Sequence, residues 1–398
     1  MPGRAPRAYS AGVSGSAKAQ AYERISRLAG GTQDLVSFWQ ESSWVIARAV
    51  PYYQAPCWYT LDPASLLITS HFNDGLPELP AEWLAEEYYT DDVNKLVDVA
   101  RSERGISTLH EATGGDPTGS PRWQQNITLG GDQEMIAALR TKDGEVWGAL
   151  GLYRERGQPM FDDLDLDFVR ALSPLLAQGA RRALLVGEAT DPEGTDAPGL
   201  VVVNEHWEIE SATPGVGRWI DELPDGDWAR GMLPAAVLAV AGRALRTMEN
   251  PDEPAEVAVS RVLSNSGTWV VLHGAPLIAS GARRVAVIVE PAHAARITPL
   301  LMSAYALSER EQEVTRLVLQ GNSTNEIAQH LFVSTHTVQQ HLKAVFDKTG
   351  VRSRRELVGK VFFSHYEPRV RDNESRAVGA QPLRGGPYDG HTPRATPE

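Results

Sequence analysis

Apolar residues recur every three or four positions from Leu307 onward, and short polar segments interrupt this pattern. Three Ser-x-x-Glu sequences, which begin at Ser308, Ser323 and Ser353, each stand at the head of an apolar run. In such a capping box, the two side chains satisfy backbone N–H groups that a helix start leaves without partners. The pattern predicts helices over about 309–320, 324–331 and 354–362.

A further helix is predicted to begin after Ser334, a suitable N-cap. Only the sequence LFVS separates it from the preceding helix, so the pair forms a helix-turn-helix. At 100° per residue, one face of the later helix is apolar, formed by Val338, Leu342, Val345 and Phe346. The opposite face is polar, formed by His336, Gln340 and Lys343, with Gln339 on its flank. Such a helix fits the DNA major groove, where amides pair with adenine and lysine reaches guanine or phosphate.

The sequence LSEREQEVTRLVLQGNSTNEIAQHLFVSTHTVQQHLKAVFDKTGVRSRRELV resembles the DNA-binding domain of the LuxR family of bacterial transcription regulators. The resemblance covers about 55 residues and is dense. Its matching positions are Leu307, Arg310, Glu311, Glu313, Val314, Gly321, Ser323, Glu326, Ile327, Ala328, Leu331, Ser334, Thr337, Val338, His341, Lys348, Val351 and Arg354.

The resemblance implies a four-helix fold, in which the third helix enters the groove and the fourth supports dimer contact. It places Gln339, Gln340 and Lys343 toward bases and Thr337, Arg352 and Arg354 toward the DNA backbone. The predicted DNA-binding set also includes Thr335, His336 and Lys348. The family usually has Asn-Lys where this chain has Thr324-Asn325, and Lys in place of Gln339. Loss of these cations implies either weaker binding or an altered sequence preference.

The front of the chain has a mixed pattern that predicts two α+β segments, each with an antiparallel sheet and helices on one face. In the first segment, Asp143-Gly144 separates two apolar runs, a strong hairpin signal, and a helix is predicted from Asp162. Residues 17–186 resemble a GAF domain, and 199–291 resemble a PAS domain. Both families imply a pocket over a sheet, for a small ligand or for an interaction.

The remaining segments are connections and ends. Residues 1–16 and 371–398 are predicted to be disordered, 187–198 is a turn-rich linker, and 292–304 connects to the helix-turn-helix domain at 305–365. The connector is predicted to be a helix broken at Pro299.

Net charge is asymmetric along the chain. Residues 305–365 contain eight Lys/Arg and six Asp/Glu, which gives +2, so the total of −13 leaves −15 for the rest. A mildly basic module on an acidic body is consistent with nucleic-acid binding by that module alone. The chain has neither an apolar signal sequence nor a run of about 20 apolar residues, and we expect a cytoplasmic protein without membrane contact.

Candidate catalytic and metal-binding patterns are missing from the sequence. There is no G-x-S-x-G, H-E-x-x-H, Walker A or C-x-x-C sequence, so no enzyme activity, metal or cofactor is expected. The single cysteine, Cys57, is either a reactive thiol or a small buried hydrophobe, and its apolar neighbours favour the second interpretation. His206 and His273 have no partner ligands at metal-site spacing.

Two hypotheses of different classes follow, and a third, weaker one is an enzyme hidden in the GAF-like segment, which a dyad of acids with perturbed pKa values in a pocket would support. The first is a transcription regulator that binds double-stranded DNA as a homodimer and responds to an unknown small-molecule signal through its front domains. The second is a signal-binding or interaction protein whose helix-turn-helix contacts RNA polymerase or another regulator.

Overall fold

The computed structural model describes residues 15–31, 33–73, 80–184, 198–250, 257–277, 283–292 and 294–363. Packing divides the chain into two compact units. The front unit takes its residues from 1–187, 199–265 and 270–290, and contains two sheets with the helices packed on them. The C-terminal module contains the helices that follow residue 291.

The elements of the front unit alternate between helices and strands, with a 3₁₀ turn at Pro117–Gly119. The first sheet and its helices are α1 (Gly15–Ala29), α2 (Leu35–Ile46), β1 (Cys57–Leu61), β2 (Ile68–Phe72), α3 (Ala81–Tyr89), α4 (Leu96–Arg101), β3 (Ile106–Thr108), α5 (Leu109–Ala112), α6 (Pro121–Thr128), β4 (Gln133–Arg140), β5 (Val146–Arg154) and α7 (Asp163–Ala183). The second group is β6 (Gly199–Val203), β7 (Ile209–Ala212), α8 (Val216–Glu222), α9 (Ala235–Glu249), β8 (Val259–Leu263), β9 (Trp269–Leu277) and β10 (Arg284–Pro291).

The first sheet is antiparallel with strand order β2-β1-β5-β4-β3. The predicted hairpin joins β4 to β5, and its Gly144 has a φ of 92°, a conformation that favours glycine. The predicted helix α7 begins at the Asp162 N-cap. The prediction of helices on one face is wrong for this sheet. Trp58 packs with α1, α2 and α7, while Tyr59 packs with α3 and α4, because the central strands are apolar on both faces.

The second sheet repeats this arrangement, with the order β7-β6-β10-β9-β8. Its five predicted strands and the short helix at Val216 are confirmed. The predicted fold class is therefore confirmed, with two antiparallel sheets in front of a helical C-terminal region. Both sheets belong to the same compact unit, and the separate domain limits at 17–186 and 199–291 stay predictions.

Helix α9 joins the two halves of the front unit by packing against α3. A Cβ built on Gly242 would lie 2.2 Å from the Ala85 carbonyl oxygen, so only glycine permits this approach. A buried ion pair accompanies the contact: Asp62 accepts hydrogen bonds from the Arg261 side chain at 2.5 and 2.9 Å and from its backbone N–H at 2.9 Å. The first contact joins α3 to α9, and the ion pair joins the end of β1 to β8.

The C-terminal module begins with α10 (Ala294–Ala304), followed by α11 (Glu309–Leu319), α12 (Thr324–Leu331), α13 (Thr335–Thr349) and α14 (Arg354–Phe363). The predicted break at Pro299 is wrong, because α10 continues through it to Ala304. Burial of Leu300 and Leu301 offsets the cost of the missing N–H, about 3 kcal/mol. Helices α11 to α14 share a core of Val314, Val318, Ile327, Val338, Leu342, Val345 and Leu357.

Three predicted segments fall largely outside the described residues: the disordered start at 1–16, the linker at 187–198 and the tail at 371–398. The first needs one correction, because α1 already begins at Gly15. No helix in the parts of the chain that the structure describes is both long enough and apolar enough to cross a membrane.

We predict that Gly242→Ala destabilises the front unit by about 1–3 kcal/mol, because its methyl group overlaps the Ala85 carbonyl. Alanine otherwise stabilises a helix relative to glycine by roughly 0.5–1 kcal/mol, so a net loss isolates the steric effect. Denaturant unfolding measures the difference. Gly119→Ala is the matched control, since nothing lies within 4 Å of its Cβ. Equal stability of the two variants contradicts the prediction.

Candidate functional site

The helix starts of the C-terminal module show how its sequence sets the local structure. The Ser308 N–H donates to Glu311 Oε2 at 2.7 Å, and the Ser323 N–H donates to Glu326 Oε2 at 2.6 Å. These capping boxes are confirmed. The third differs, because Glu356 Oε2 accepts from the Arg352 N–H at 2.8 Å instead.

The turn between α12 and α13 is short and strained. Phe332 ends α12 in the left-handed region at φ 54°, and its side chain is 95% exposed. Two residues later, Ser334 Oγ accepts the Thr337 N–H at 3.1 Å and caps α13. This geometry confirms the predicted helix-turn-helix.

The exposed face of α13 contains most of the predicted DNA-binding side chains. Those that are exposed are Thr335, His336, Gln339, Gln340 and Lys343. His336 Nε2 lies 3.2 Å from Gln340 Nε2, one helical turn away. Thr337 is half-buried, and its hydroxyl lies 2.8 Å from Ser334 Oγ. The structure therefore brings five of these residues to one surface and directs Thr337 toward the helix cap.

Two of the three predicted cations outside that face have side-chain partners within the module. Lys348 Nζ donates to Glu311 Oε2 at 2.6 Å and to the Ala306 carbonyl at 2.9 Å. Arg354 donates to Thr324 Oγ1 at 3.2 Å and to the Asn322 carbonyl. Arg352 is exposed. Lys348 and Arg354 thus connect the helices of the module to one another.

Glu311 is a buried acid at the centre of these contacts, with a side chain that is 8% exposed. Burial acts to raise the pKa of its carboxyl group, but the hydrogen bonds from Lys348 and the Ser308 N–H hold that pKa below its ordinary value. The ionised carboxylate is therefore the form that fits the folded module.

A second candidate site is a pocket on the face of the first sheet covered by α3. Its volume is about 680 Å³, including the part open to solvent. Side chains of the sheet form the floor, and α3, α4, α6 and two loops form the walls and rim. The lining residues are Tyr53, Gln54, Cys57, Tyr59, Ile68, Trp83, Leu84, Glu87, Leu96, Arg122, Gln125, Asn126, Leu129, Gly131, Glu134 and Tyr153.

One wall of this pocket contains a buried charge network. Arg122 donates to Glu87 Oε2 at 2.6 Å and to Glu134 Oε2 at 2.7 Å. Glu134 also accepts from Asn94 at 2.8 Å and from Asn126 at 3.1 Å. Burial alone would lower the pKa of Arg122, but the two carboxylates raise it well above its usual value. The guanidinium is therefore permanently charged.

Cys57 lies on the floor of the pocket and is 2% exposed. Burial raises the pKa of its thiol to about 12, although hydrogen bonding with Tyr153 and Tyr59 acts to lower it. A thiol of this kind is a poor nucleophile at neutral pH, which agrees with the interpretation of a buried hydrophobe. Among the described residues, no group of His, Cys, Asp or Glu is placed to hold a metal ion.

Comparison with known proteins identifies the C-terminal module. The family model "Bacterial regulatory proteins, luxR family" matches residues 305–361. The spore germination protein GerE of Bacillus subtilis is 42% identical over 52 residues, which are 13% of this chain and 70% of GerE. The chain belongs to the LuxR family.

Other relatives and solved structures match smaller or larger parts of the chain. A putative HTH-type transcriptional regulator of Mycobacterium tuberculosis is 49% identical over 53 residues, which are 13% of this chain and only 6% of that protein. Among solved structures, the phycoerythrobilin-bound GAF domain of a cyanobacterial phytochrome matches with 13% identity and a TM-score of 0.32, over 43% of this chain and 97% of that one. Escherichia coli SdiA matches with 12% identity and a TM-score of 0.29, over 88% of this chain and 97% of that one.

Two departures from the LuxR pattern have visible consequences in this geometry. Thr324, in place of the usual asparagine, accepts a hydrogen bond from Arg354. Asn325 and Gln339, where the family usually has lysine, are both exposed. The surface around α13 therefore has fewer cations than the LuxR pattern provides, and the roles predicted for its residues stay predictions.

The pocket residues could not be selected from the sequence. Arg122 and Glu134 belong to different elements, and Glu87 is on a third. The only local signal is the presence of charged residues at buried strand and helix positions, such as Glu134 within the apolar run of β4. Because their partners are distant along the chain, only the fold shows that they meet.

We predict that Lys348→Ala destabilises the C-terminal module by about 1–3 kcal/mol, because the buried carboxylate of Glu311 loses its cationic partner and keeps only the Ser308 N–H on Oε2. Thermal unfolding at pH 7 measures the loss. Since the folded pKa of Glu311 is lowered, the difference from the unsubstituted protein should shrink as the pH falls below about 4.5. Lys343→Ala is the control, because this lysine is exposed on the same helix, and equal effects of both variants contradict the assignment.

We also predict that Phe332→Asn stabilises the module by about 1 kcal/mol, because asparagine tolerates the left-handed backbone that phenylalanine does not. The ring is 95% exposed, so its removal loses little packing. Phe332→Ala is the control that removes the ring and keeps a strained Cβ. Denaturant unfolding that shows the same gain for both variants would exclude backbone strain as the cause.

Proposed function

We propose that this protein is a LuxR-family transcription regulator whose C-terminal module binds double-stranded DNA sequence-specifically. The observation that supports this most strongly is that α13 exposes a polar face to solvent while its opposite face packs into the helix-turn-helix core. In this proposal Gln339, Gln340 and Lys343 contact base edges or phosphates, and Thr335 and His336 lie at the end of α13 nearest the turn.

The cations outside α13 have a different role in this proposal. Lys348 and Arg354 hold α11, α12 and α14 in place through their hydrogen bonds, and their remaining donors are available to the DNA backbone. Arg352 contributes a phosphate contact from its exposed position. The predicted phosphate interactions are few, so base contacts carry a larger share of the affinity than in a strongly basic module.

Control by a signal is the second part of the proposal. The pocket on the first sheet accepts a small molecule, and the bound state favours a homodimer whose two α13 helices reach successive major grooves, roughly 34 Å apart. Within the front unit, Trp83 and Leu84 line the pocket, and Ala85 of the same helix contacts Gly242. A shift of α3 on ligand binding would therefore change its contact with α9.

Selection of duplexes from a randomised pool by the full-length protein tests the proposal. We expect a motif of two half-sites with affinity that falls steeply with salt. Failure to recover a motif, with no duplex binding even at low salt, contradicts sequence-specific DNA binding by the protein in its signal-free state. The same selection with a pool of candidate signals then tests whether a ligand is needed.

We predict that Lys343→Ala lowers the slope of log affinity against log salt by about one unit on the selected duplex, since one phosphate contact is lost. Gln340→Ala should leave the slope unchanged and relax the preference at one base position. Arg316→Ala is the control, because it removes the same charge from the exposed surface of α11. A slope that changes equally for Arg316 and Lys343 indicates a general charge effect and contradicts direct contact.

A second candidate function is favoured by the exposed Phe332 and by the uncharged, exposed Asn325 and Gln339 of the same module. In this alternative, the helix-turn-helix contacts RNA polymerase or another regulator, since an exposed aromatic side chain suits a protein surface. Binding of purified RNA polymerase that Phe332→Ala abolishes, together with absence of duplex binding, would establish this alternative.

A further inference from the structure

The pocket on the first sheet has a composition that limits its ligand. Four of its lining residues are aromatic: Tyr53, Tyr59, Trp83 and Tyr153. Apolar side chains of β2, α3, α4 and the loop after α6 complete much of the wall, namely Ile68, Leu84, Leu96 and Leu129. Such a lining suits an organic molecule with an apolar portion, because most of its surface would be removed from water.

The charges of the lining residues indicate which sign of charge a bound organic molecule would have. Its ionisable side chains with formal charge are Glu87, Glu134 and Arg122, which sum to −1. Glu87 and Glu134 are buried, with side chains 6% and 1% exposed, while Arg122 already donates to both. A ligand carboxylate or phosphate would enter beside two acids, and two nitrogens of the guanidinium, Nε and Nη1, already donate to those acids.

Two further acids, Glu86 and Asp92, contact residues of the lining. Glu86 Oε2 accepts from the lining residue Gln125 at 2.8 Å, and Asp92 accepts from the Arg122 N–H at 2.7 Å. The nearby Lys95 ammonium donates to the Thr90 carbonyl at 2.7 Å and does not line the pocket. Aromatic rings with acids nearby attract an ammonium group, through the ring quadrupole and through direct charge interaction.

We propose that this pocket binds an organic cation, a primary amine or quaternary ammonium with an apolar portion of about the size of one aromatic ring. This inference rests on the proposed sensing function and names the class of its signal. Glu87 and Glu134 supply the negative charge, and the aromatic rings enclose the apolar portion. The network around Arg122 keeps both carboxylates oriented before the ligand enters, which lowers the cost of ordering the site.

Thermal unfolding of the full chain with matched probes tests the proposal without DNA. The probes are 2-phenylethylammonium, benzyltrimethylammonium, 2-phenylethanol and phenylacetate at equal ionic strength. We expect the two cations to raise Tm by roughly 3–5 °C at about ten times their dissociation constant. Neither the alcohol nor the anion should do so at that concentration.

Substitutions in the pocket test whether a rise in Tm comes from binding there. Glu134→Gln should weaken binding of the cations about tenfold, while Glu103→Gln, an exposed acid outside the lining, should not. If Glu134→Gln does not fold, Leu129→Trp provides a second test, because it fills the pocket from its rim and should abolish the shift for every probe. A shift that survives Leu129→Trp overturns the location of the site.

The remaining outcomes are also decisive. Equal shifts with the alcohol and the cations overturn the requirement for positive charge, and a shift with phenylacetate alone overturns the sign. No shift with any probe overturns this ligand class while leaving DNA binding untouched, because duplex selection measures the latter independently. Cation binding without a change in affinity for the selected duplex supports the site and contradicts its role as the regulatory signal.

Discussion

The close packing of α3 against α9 is the constraint on which the front unit depends. Gly242 permits it, since any side chain there would overlap the Ala85 carbonyl, and the buried Asp62–Arg261 pair accompanies it. The same helix α3 supplies Trp83, Leu84 and Glu87 to the pocket wall. One helix is therefore shared by the pocket and the contact with the second group.

Buried acids are balanced by cations to different extents in the two units. In the C-terminal module, Lys348 is paired with Glu311, so part of the positive charge that the sequence offers to DNA stabilises the module itself. In the pocket, Arg122 lies between Glu87 and Glu134 and leaves one negative formal charge uncompensated in the lining. The first arrangement pairs its acid with one cation; the second leaves an excess of negative formal charge that a cationic ligand would offset.

The C-terminal module was predictable because its information is local. Serine caps and apolar residues at helical spacing specify α11, α12 and α13 within a dozen residues, and α11 and α12 also have a glutamate three residues after the cap. The hairpin at Asp143-Gly144 and the helix after Asp162 follow for the same reason. The helices covering the second face of the first sheet were not predicted, because a strand buried on both faces does not show which elements cover it.

The sequence by itself determined the LuxR-type helix-turn-helix, the polar face of α13 and the α+β character of the front region, since propensity, capping and periodicity act between near neighbours. Only the tertiary structure decided that Lys348 and Arg354 bond within the module, that α10 continues through Pro299, and that Glu87, Arg122 and Glu134 meet in one pocket. These depend on contacts between residues far apart in the chain, where burial and charge pairing outweigh local preference.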